Sequence, residues 1–152
     1  MAGDLDIRPA RSQDLANLIG LYRHLGHDDA ALEPAVASQR LATILDRTGM
    51  TVFIGFVQDL PAATATLVII PNLTRGGRPY ALIENVVTHA DQRRRGFGAR
   101  LIHHAVEVAW QTDCYKVMLL TGSTEPSTLR FYGNCGFDRS KTGFQIRRDR
   151  PQ

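Results

Sequence analysis

Apolar residues recur at helical spacing in the first third of the chain and predict two helices. Four of them share one face of the first helix: Leu15, Leu18, Ile19 and Tyr22. This helix is predicted over residues 13–25, with Ser12 as its N-cap. A proline in the first turn and a glycine beyond the end predict the second helix over residues 34–47. A short edge strand over residues 5–8 precedes both helices.

Runs of β-branched residues replace the helical spacing from residue 51 onward. Two such runs, over residues 51–57 and 63–70, predict an antiparallel hairpin joined by a loop over residues 58–62.

A strand-helix-strand unit follows the hairpin, over residues 80–88, 98–111 and 116–120. A crossover of this kind joins parallel neighbours in one sheet. Beyond it, a short helix through residue 134 begins after Thr124 or Glu125, and residues 143–147 supply a last strand. The pattern predicts a mixed α+β fold. No linker rich in Pro, Gly or Ser interrupts it, so one domain is predicted over residues 1–152.

Composition narrows the class of protein. The two cysteines, Cys114 and Cys135, lack the spacing of a zinc site or a disulfide framework. No apolar run reaches the roughly 18 residues of a membrane span, so a soluble cytoplasmic protein without a membrane partner is expected. His103 and Glu107 stand four residues apart on a predicted helix, but no third ligand is evident, and no metal is expected.

Arginine dominates the net charge of +3, because only Lys116 and Lys141 accompany 16 arginines. The arginines cluster at residues 93–95 and again at residues 147–150, which indicates a phosphate-bearing partner. A solvated surface patch explains the C-terminal cluster equally well. Nucleic acid is the weaker interpretation, because the basic residues are not interleaved with stacking aromatic residues.

The most informative segment joins a predicted strand to a predicted helix and reads Arg93-Arg94-Arg95-Gly96-Phe97-Gly98. Its glycines permit positive φ and close backbone approach, while the first turn of the helix presents unpaired N–H groups and a partial positive charge. Such a turn can bind an anion. A nucleotide-hydrolysing P-loop is disfavoured because no lysine follows the glycines. The dinucleotide fingerprint fails because Leu101 stands where its third glycine belongs.

This segment resembles the Q/R-x-x-G-x-G/A signature of the GNAT superfamily of N-acetyltransferases, with Arg93, Gly96 and Gly98 at the fixed positions. A second segment, over residues 129–137, is similar to the FY-x-x-x-GF helix and turn of that superfamily. The resemblance covers nearly the whole chain. It implies a GNAT-like fold with a central, mostly antiparallel mixed sheet of about six to seven strands, about four helices, and a splayed parallel strand pair that holds the cofactor.

The resemblance also implies an acyltransferase that moves the acetyl group of acetyl-CoA to a primary amine by direct attack in a ternary complex. Ten residues are implied to bind acetyl-CoA: Val86, Val87, Thr88, Arg93, Arg94, Arg95, Gly96, Phe97, Gly98 and Ala99. Many members carry an asparagine seven residues before the tyrosine of the second motif, where this chain has Glu125. The contact that this asparagine makes with the pantetheine arm of acetyl-CoA is therefore not assigned to Glu125.

Two residues are assigned catalytic roles. Tyr132 follows the second cofactor strand, and its phenol can donate a proton to the departing thiolate; core packing is the alternative. Glu84 interrupts an apolar strand, where a carboxylate buried on both faces is costly unless it is paired or used. Glu84 is therefore predicted as the base that deprotonates the amine. A structural pairing of Glu84, its contact with the acceptor, His89 as the base and a water chain stay open.

The acceptor is the least determined part of the function. Three acids lie between the first two helices: Asp28, Asp29 and Glu33. They suit a cationic amine or a solvated turn, whereas Arg75, Arg78 and the C-terminal arginines of residues 147–150 suit an anionic acceptor such as a sugar phosphate. Residues 83–87 and 114–117 are similar to segments of glucosamine-6-phosphate N-acetyltransferases. We expect a small-molecule or peptide amine as acceptor and leave a homodimer open. A noncatalytic acetyl-CoA sensor is the competing function.

Overall fold

The structure, a computed structural model, describes residues 3–25 and 29–149. The chain divides into two compact units, Met1–Leu119 and Leu120–Gln152, and the single domain over residues 1–152 stays a prediction. The elements of the first unit are β1 Asp6–Pro9, α1 Leu15–Tyr22, α2 Pro34–Asp46, β2 Met50–Val57, β3 Leu60–Ile70, β4 Tyr80–Thr88, α3 Phe97–Gln111 and β5 Val117–Leu119. The second unit contains α4, Pro126–Asn134.

The sheet has five strands among the described residues, in the order β1-β2-β3-β4-β5. Successive pairs from β1 to β4 are antiparallel, and β4 pairs with β5 in parallel. The mixed, mostly antiparallel sheet and its one parallel pair are confirmed. The strand count falls below the predicted six to seven.

Both faces of the sheet are covered by helices, and β2 shows how. Because side chains alternate along a strand, Val52 and Ile54 point to one face while Phe53 points to the other. The first face carries a buried cluster that includes residues of α1 and α2: Ala10, Leu18, Leu21, Leu41, Val52, Ile54, Phe56 and Val87. On the second face, the Phe53 ring meets the His104 ring of α3 edge to face, with centroids 4.9 Å apart. The nearly continuous apolar run of β2 therefore reflects burial on two sides.

The turn between β2 and β3 is tighter than predicted. Val57 pairs with Leu60, so the turn has only two residues, Gln58 and Asp59, with φ of 50° and 65°. Two successive positive φ values match the right-handed twist of a two-residue hairpin. The prediction of a loop over residues 58–62 was wrong, because neither turn residue is a glycine and Pro61 resembles a loop residue.

The start of α1 depends on Asp14 and not on the predicted cap, Ser12. Ser12–Asp14 is a 3-10 turn, and the Asp14 carboxylate accepts the Arg11 N–H at 2.7 Å. The Arg8 guanidinium donates two hydrogen bonds to the same carboxylate, at 2.7 and 2.9 Å. These bonds from Arg8, before all other causes, lower the pKa of the buried Asp14 carboxyl. A half-buried ion pair with this bidentate geometry joins β1 to the start of α1.

The second unit has less regular structure than the sequence predicts. Its helix α4 ends at Asn134 as expected, but residues 143–147 form no strand. Phe144 and Ile146 are 92% and 96% exposed, and no backbone hydrogen bond is recorded for this segment within the described residues. The prediction of a strand here was wrong, because alternation of two apolar side chains does not form a strand without a partner strand.

Other features bear on the class of protein. None of the helices in residues 3–25 and 29–149 has the length and hydropathy of a membrane span. In the same residues, no three or more His, Cys, Asp or Glu side chains are grouped as metal ligands. Cys114 is a buried free thiol and Cys135 a half-buried one.

Candidate functional site

The second half of β4 contains a bulge that changes the direction of its side chains. Thr64 of β3 pairs with Val87 and Thr66 pairs with Glu84, so Ala65 alone opposes both Asn85 and Val86. Asn85 adopts a φ of 52°, a left-handed conformation that asparagine tolerates better than most residues. Two residues opposite one define a β-bulge, a feature that commonly re-aims side chains beside functional sites.

The other edge of β4 loses its partner at the same place. β5 pairs with β4 at only three positions, the last of which joins Ile83 to Leu119. Beyond Ile83, no described residue of the first unit pairs with this edge, whereas β3 continues to pair on the opposite edge as far as Thr88. Peptide groups along an unpaired strand edge can bind an extended ligand as a neighbouring strand would. Val86 and Thr88 are half-buried on this stretch, and Val87 belongs to the core.

The segment after β4, residues 93–99, is here named the cofactor turn. It follows a short 3-10 turn, Ala90–Gln92, and leads into α3. Arg94 has a φ of 61° and Gly96 a φ of 79°, so two left-handed residues flank Arg95. Gly98 is buried within the first turn of α3 and has no positive φ. The expected positive φ therefore occurs at Gly96 and, unexpectedly, at Arg94.

Backbone donors are concentrated in the cofactor turn. The N–H groups of the six successive residues 94–99 donate to no acceptor among the described parts of the chain, and the next N–H, of Arg100, donates to the Gly96 carbonyl at 3.0 Å. A Cβ built on Gly96 would meet nothing within 4 Å, so the turn borders open space there. Left-handed residues among successive free N–H groups are typical of the backbone concavities that bind anions. The donor set therefore fits a diphosphate at a helix N-terminus.

The three arginines of the turn have different surroundings. Arg93 donates from Nε to the Thr88 carbonyl and from Nη2 to the His24 carbonyl, both at 3.3 Å. Arg95 hydrogen-bonds the Gln92 side chain, and its guanidinium lies 4.8 Å from the centroid of the Phe97 ring. That ring is buried beside the first strand. Arg94 is exposed and has no hydrogen bond or ion pair to any described residue.

Two histidines lie beside the cofactor turn. The His24 and His89 rings are in contact with their centroids 4.3 Å apart and their planes inclined by 51°, and His89 Nδ1 accepts the Asp91 N–H at 3.2 Å. Burial lowers the pKa of His24, with smaller contributions from His89 and Arg93. His24 is absent from the site residues that the sequence predicts. No local pattern could have found it, because 69 positions separate it from Arg93.

Glu84 departs from its predicted environment. The sequence places it in a strand buried on both faces, but its side chain is exposed in the structure. The bulge explains the difference, since it ends the inward alternation after Ile83. The argument that a buried carboxylate must be paired or used was therefore wrong for this residue, and its role as a base rests on its position alone.

Residues of the predicted acceptor loop are described in part. His27 and Asp28 lie outside the described residues. Asp29 is exposed, and the Glu33 carboxylate accepts the Val36 N–H at 3.2 Å as the N-cap of α2. The capping bond supports the interpretation of Glu33 as a structural residue.

Arg75 and Arg78 follow β3 and are already engaged with other side chains. Arg78 forms a 3.2 Å ion pair with Asp113, and the Arg75 guanidinium lies 5.7 Å from the Tyr115 ring centroid.

Helix α4 holds Tyr132 in the second unit. Its ring packs edge to face against Phe131, with centroids 5.1 Å apart. Burial raises the pKa of the Tyr132 phenol, and the nearby Cys135 adds to the rise. The phenol therefore keeps its proton at neutral pH, as a proton donor must. Glu125 is the N-cap residue of α4 and makes no side-chain capping bond.

Comparison with known proteins adds to this geometry. The sequence model of the Acetyltransferase (GNAT) family matches residues 15–137. This chain belongs to the GNAT family of acetyltransferases. The match spans the bulged strand, the cofactor turn and α4.

This GNAT acetyltransferase is similar to two glucosamine 6-phosphate N-acetyltransferases. It is 35% identical over 139 residues to the one of Trypanosoma brucei brucei, covering 88% of this chain and 89% of the relative. It is 32% identical to enzyme 1 of Oryza sativa subsp. japonica, covering 86% and 79%. A solved structure of a candidate acetyltransferase from Agrobacterium tumefaciens str. C58 superposes with a TM-score of 0.91 at 48% identity, over 94% of this chain and 99% of that one.

These findings establish the class of reaction. The GNAT acetyltransferase is an acyltransferase that transfers an acetyl group to an amine, and members of its family use acetyl-CoA.

Proposed function

We propose that this enzyme binds acetyl-CoA along the second half of β4 and in the cofactor turn, and acetylates the amine of a small molecule. The run of six free N–H groups at residues 94–99 carries the proposal. Charge-assisted bonds from such donors to a diphosphate are stronger than neutral ones. The positive end of the α3 dipole adds to the attraction.

The free edge of β4 is proposed to bind the pantetheine arm. Acetyl-CoA supplies an activated acetyl thioester. The peptide groups of Val86, Val87 and Thr88 would pair with the pantetheine amides, in the way that a neighbouring strand would. A backbone N–H aimed at the thioester carbonyl would also stabilise developing negative charge, an effect of about 3 kcal/mol for one such donor.

Proton transfer is assigned to two side chains. Tyr132 is proposed to protonate the departing thiolate, which is consistent with the raised pKa of its phenol. Glu84 is proposed to accept the proton of the acceptor amine, because its exposed carboxylate adjoins the bulge of the cofactor strand. His89 and a water chain remain alternatives for the second role.

Glucosamine 6-phosphate is the first acceptor to test. Two relatives that this chain matches over more than three quarters of their length are named for that substrate. Residues 83–87, which are similar to a segment of such enzymes, include the bulge of β4. A peptide amine or a polyamine is the competing acceptor class.

Cofactor binding can be tested by thermal unfolding. Acetyl-CoA should raise the melting temperature, because a ligand that binds only the folded state stabilises it, whereas free acetate should not. Equal stabilisation by ATP would contradict the assignment, since it would indicate a general nucleotide site.

The acceptor can be tested by thiol release in an amine panel. We expect kcat/KM for glucosamine 6-phosphate to exceed that for glucosamine by roughly 10- to 100-fold, the range for losing a hydrogen-bonded charged group. Preference for a peptide amine or a polyamine would overturn this acceptor. Absence of transfer to every amine, despite acetyl-CoA binding, would support a noncatalytic sensor.

Two expectations about context stay predictions. A cytoplasmic location is proposed because both cysteines are free thiols. Fractionation of cells that express the protein tests this location.

The homodimer also remains a proposal. Sedimentation equilibrium of the purified chain measures its oligomeric state directly.

A further inference from the structure

The guanidinium of Arg93 donates hydrogen bonds to two backbone carbonyls. Its Nε donates to the carbonyl of Thr88, the last residue of β4, and its Nη2 to the carbonyl of His24, in the 3-10 turn after α1. The planar fork of arginine can satisfy two acceptors at once, which a lysine ammonium does less well. One side chain therefore joins three segments: the cofactor turn, the end of the cofactor strand and the end of α1.

The two histidines complete this junction. The His24 ring contacts the His89 ring, whose Nδ1 accepts the Asp91 N–H, while the backbone N–H of His89 donates to the Ala62 carbonyl at 2.8 Å. This ring contact thus joins His24 to the residue that follows β4. Arg94, the next residue along, has no comparable bonds and remains free to attract an anion through its charge.

We propose that Arg93 is a positioning residue that clamps the end of α1 to the cofactor turn and does not bind phosphate through its charge. The proposal rests on the proposed function, because it assumes that the turn binds acetyl-CoA. The segment that follows His24 is the one predicted to border the acceptor. The clamp would therefore fix the cofactor turn and the start of the acceptor loop relative to each other, and its loss should affect both substrates.

The first test compares Arg93→Gln with Arg93→Met. Glutamine keeps an N–H donor for a carbonyl but no charge, whereas methionine has neither. We expect Arg93→Met to raise the Kd for CoA, measured by titration calorimetry, by about tenfold. The KM for the best amine of the panel should rise by a similar factor. Arg93→Gln should change the logarithms of Kd and KM by no more than half as much as Arg93→Met does.

The salt dependence of CoA binding separates the clamp from a charge ligand. Removing a phosphate-binding charge should weaken the dependence of Kd on ionic strength, because screened attraction is lost. We expect this for Arg94→Gln and not for Arg93→Gln. Equal losses in both Arg93 variants, together with a weaker salt dependence, would overturn the proposal. Wild-type affinity in Arg93→Met would overturn it as well.

A second variant keeps the test valid if Arg93→Met does not fold. His24→Ala removes the contact with the His89 ring but leaves every arginine in place, and we expect it to raise the Kd for CoA by about threefold. In the double variant, His24→Ala should change the Kd of Arg93→Met for CoA by less than twofold, because both substitutions act on one clamp. An unchanged Kd in His24→Ala would overturn the clamp. Failure of the wild-type protein to bind CoA would instead refute the proposed function, before any variant is compared.

Discussion

The cofactor turn and helix α4 present two different kinds of proposed chemistry. In the turn, the donors are peptide N–H groups of residues 94–99, and two of the three arginine side chains are engaged with other residues. On α4, the proposed chemistry rests on a single phenol, that of Tyr132, whose pKa is raised by burial. One region works through backbone geometry and the other through one side-chain atom.

This difference determines which substitutions should matter in each region. A backbone site tolerates changes of side chain that preserve its dihedral angles, and it fails when a side chain fills the ligand space or forces a different φ. A side-chain site behaves in the opposite way, because removal of one hydroxyl abolishes the chemistry while the fold persists. The effects should therefore appear in cofactor affinity for the turn and in turnover for α4.

The largest effect is expected for Tyr132→Phe. Loss of a positioned general acid should lower kcat by roughly 10²- to 10⁴-fold, while the Kd for acetyl-CoA changes little. Steady-state kinetics and calorimetry measure the two quantities. Tyr115→Phe removes a hydroxyl from another half-buried tyrosine and should keep kcat near the wild-type value. A folded Tyr132→Phe variant with wild-type turnover, where chemistry limits the rate, would show that α4 supplies no acid.

The next effect is expected for Gly98→Val in the cofactor turn. Gly98 is buried in the first turn of α3, so a branched side chain there should displace the backbone of the turn and raise the Kd for acetyl-CoA at least about 10²-fold. Gly20→Val is the control for a branched side chain within a helix, because a Cβ at Gly20 meets nothing within 4 Å. It should bind acetyl-CoA as the wild type does. Unchanged affinity in Gly98→Val would remove the turn from the site.

The fold was predictable where a single pattern determined an element. β4 has the predicted bounds, and α2 ends one residue early, because their apolar spacing or β-branched runs are unambiguous. The turn of Gln58 and Asp59 was missed, since positive φ at such residues has no sequence signature. The strand predicted over residues 143–147 failed for another reason. A strand forms only with a partner, and pairing is a tertiary property that local alternation does not contain.

The site was predictable only in part, for a related reason. The glycines and arginines of the cofactor turn are contiguous in sequence, so a motif can reveal them. The bulge at Asn85 depends on the register between two strands, and Glu84 owes its exposure to that register. The contact of Arg93 with His24 spans 69 positions. Interactions over such separations follow from the fold and leave no local pattern.

A moderate effect is expected at Asn85, where the backbone geometry of β4 can be changed without touching the turn. Valine at a φ of 52° should cost about 1–2 kcal/mol of stability and flatten the bulge, with about tenfold weaker acetyl-CoA binding. Asn85→Gly retains the conformation and should keep the affinity within about twofold. Denaturant unfolding and calorimetry measure both quantities. If valine and glycine weaken binding equally, the asparagine side chain matters and the bulge does not.

The smallest effect is expected in the pH dependence of stability, through His24 beside the cofactor turn. Burial lowers the pKa of His24, so the unfolded chain takes up its proton first as the pH falls below about 6.5. Folding stability contributed by neutral His24 is therefore complete above that pH and declines below it. Urea unfolding at pH 7.5 and 5.5 should show a smaller decline for His24→Gln than for the wild type. His103→Gln, which removes an exposed imidazole of α3, should retain the wild-type decline. An equal decline in His24→Gln would show that the surroundings of His24 do not disfavour its charged form, and that acidification lowers stability through other groups.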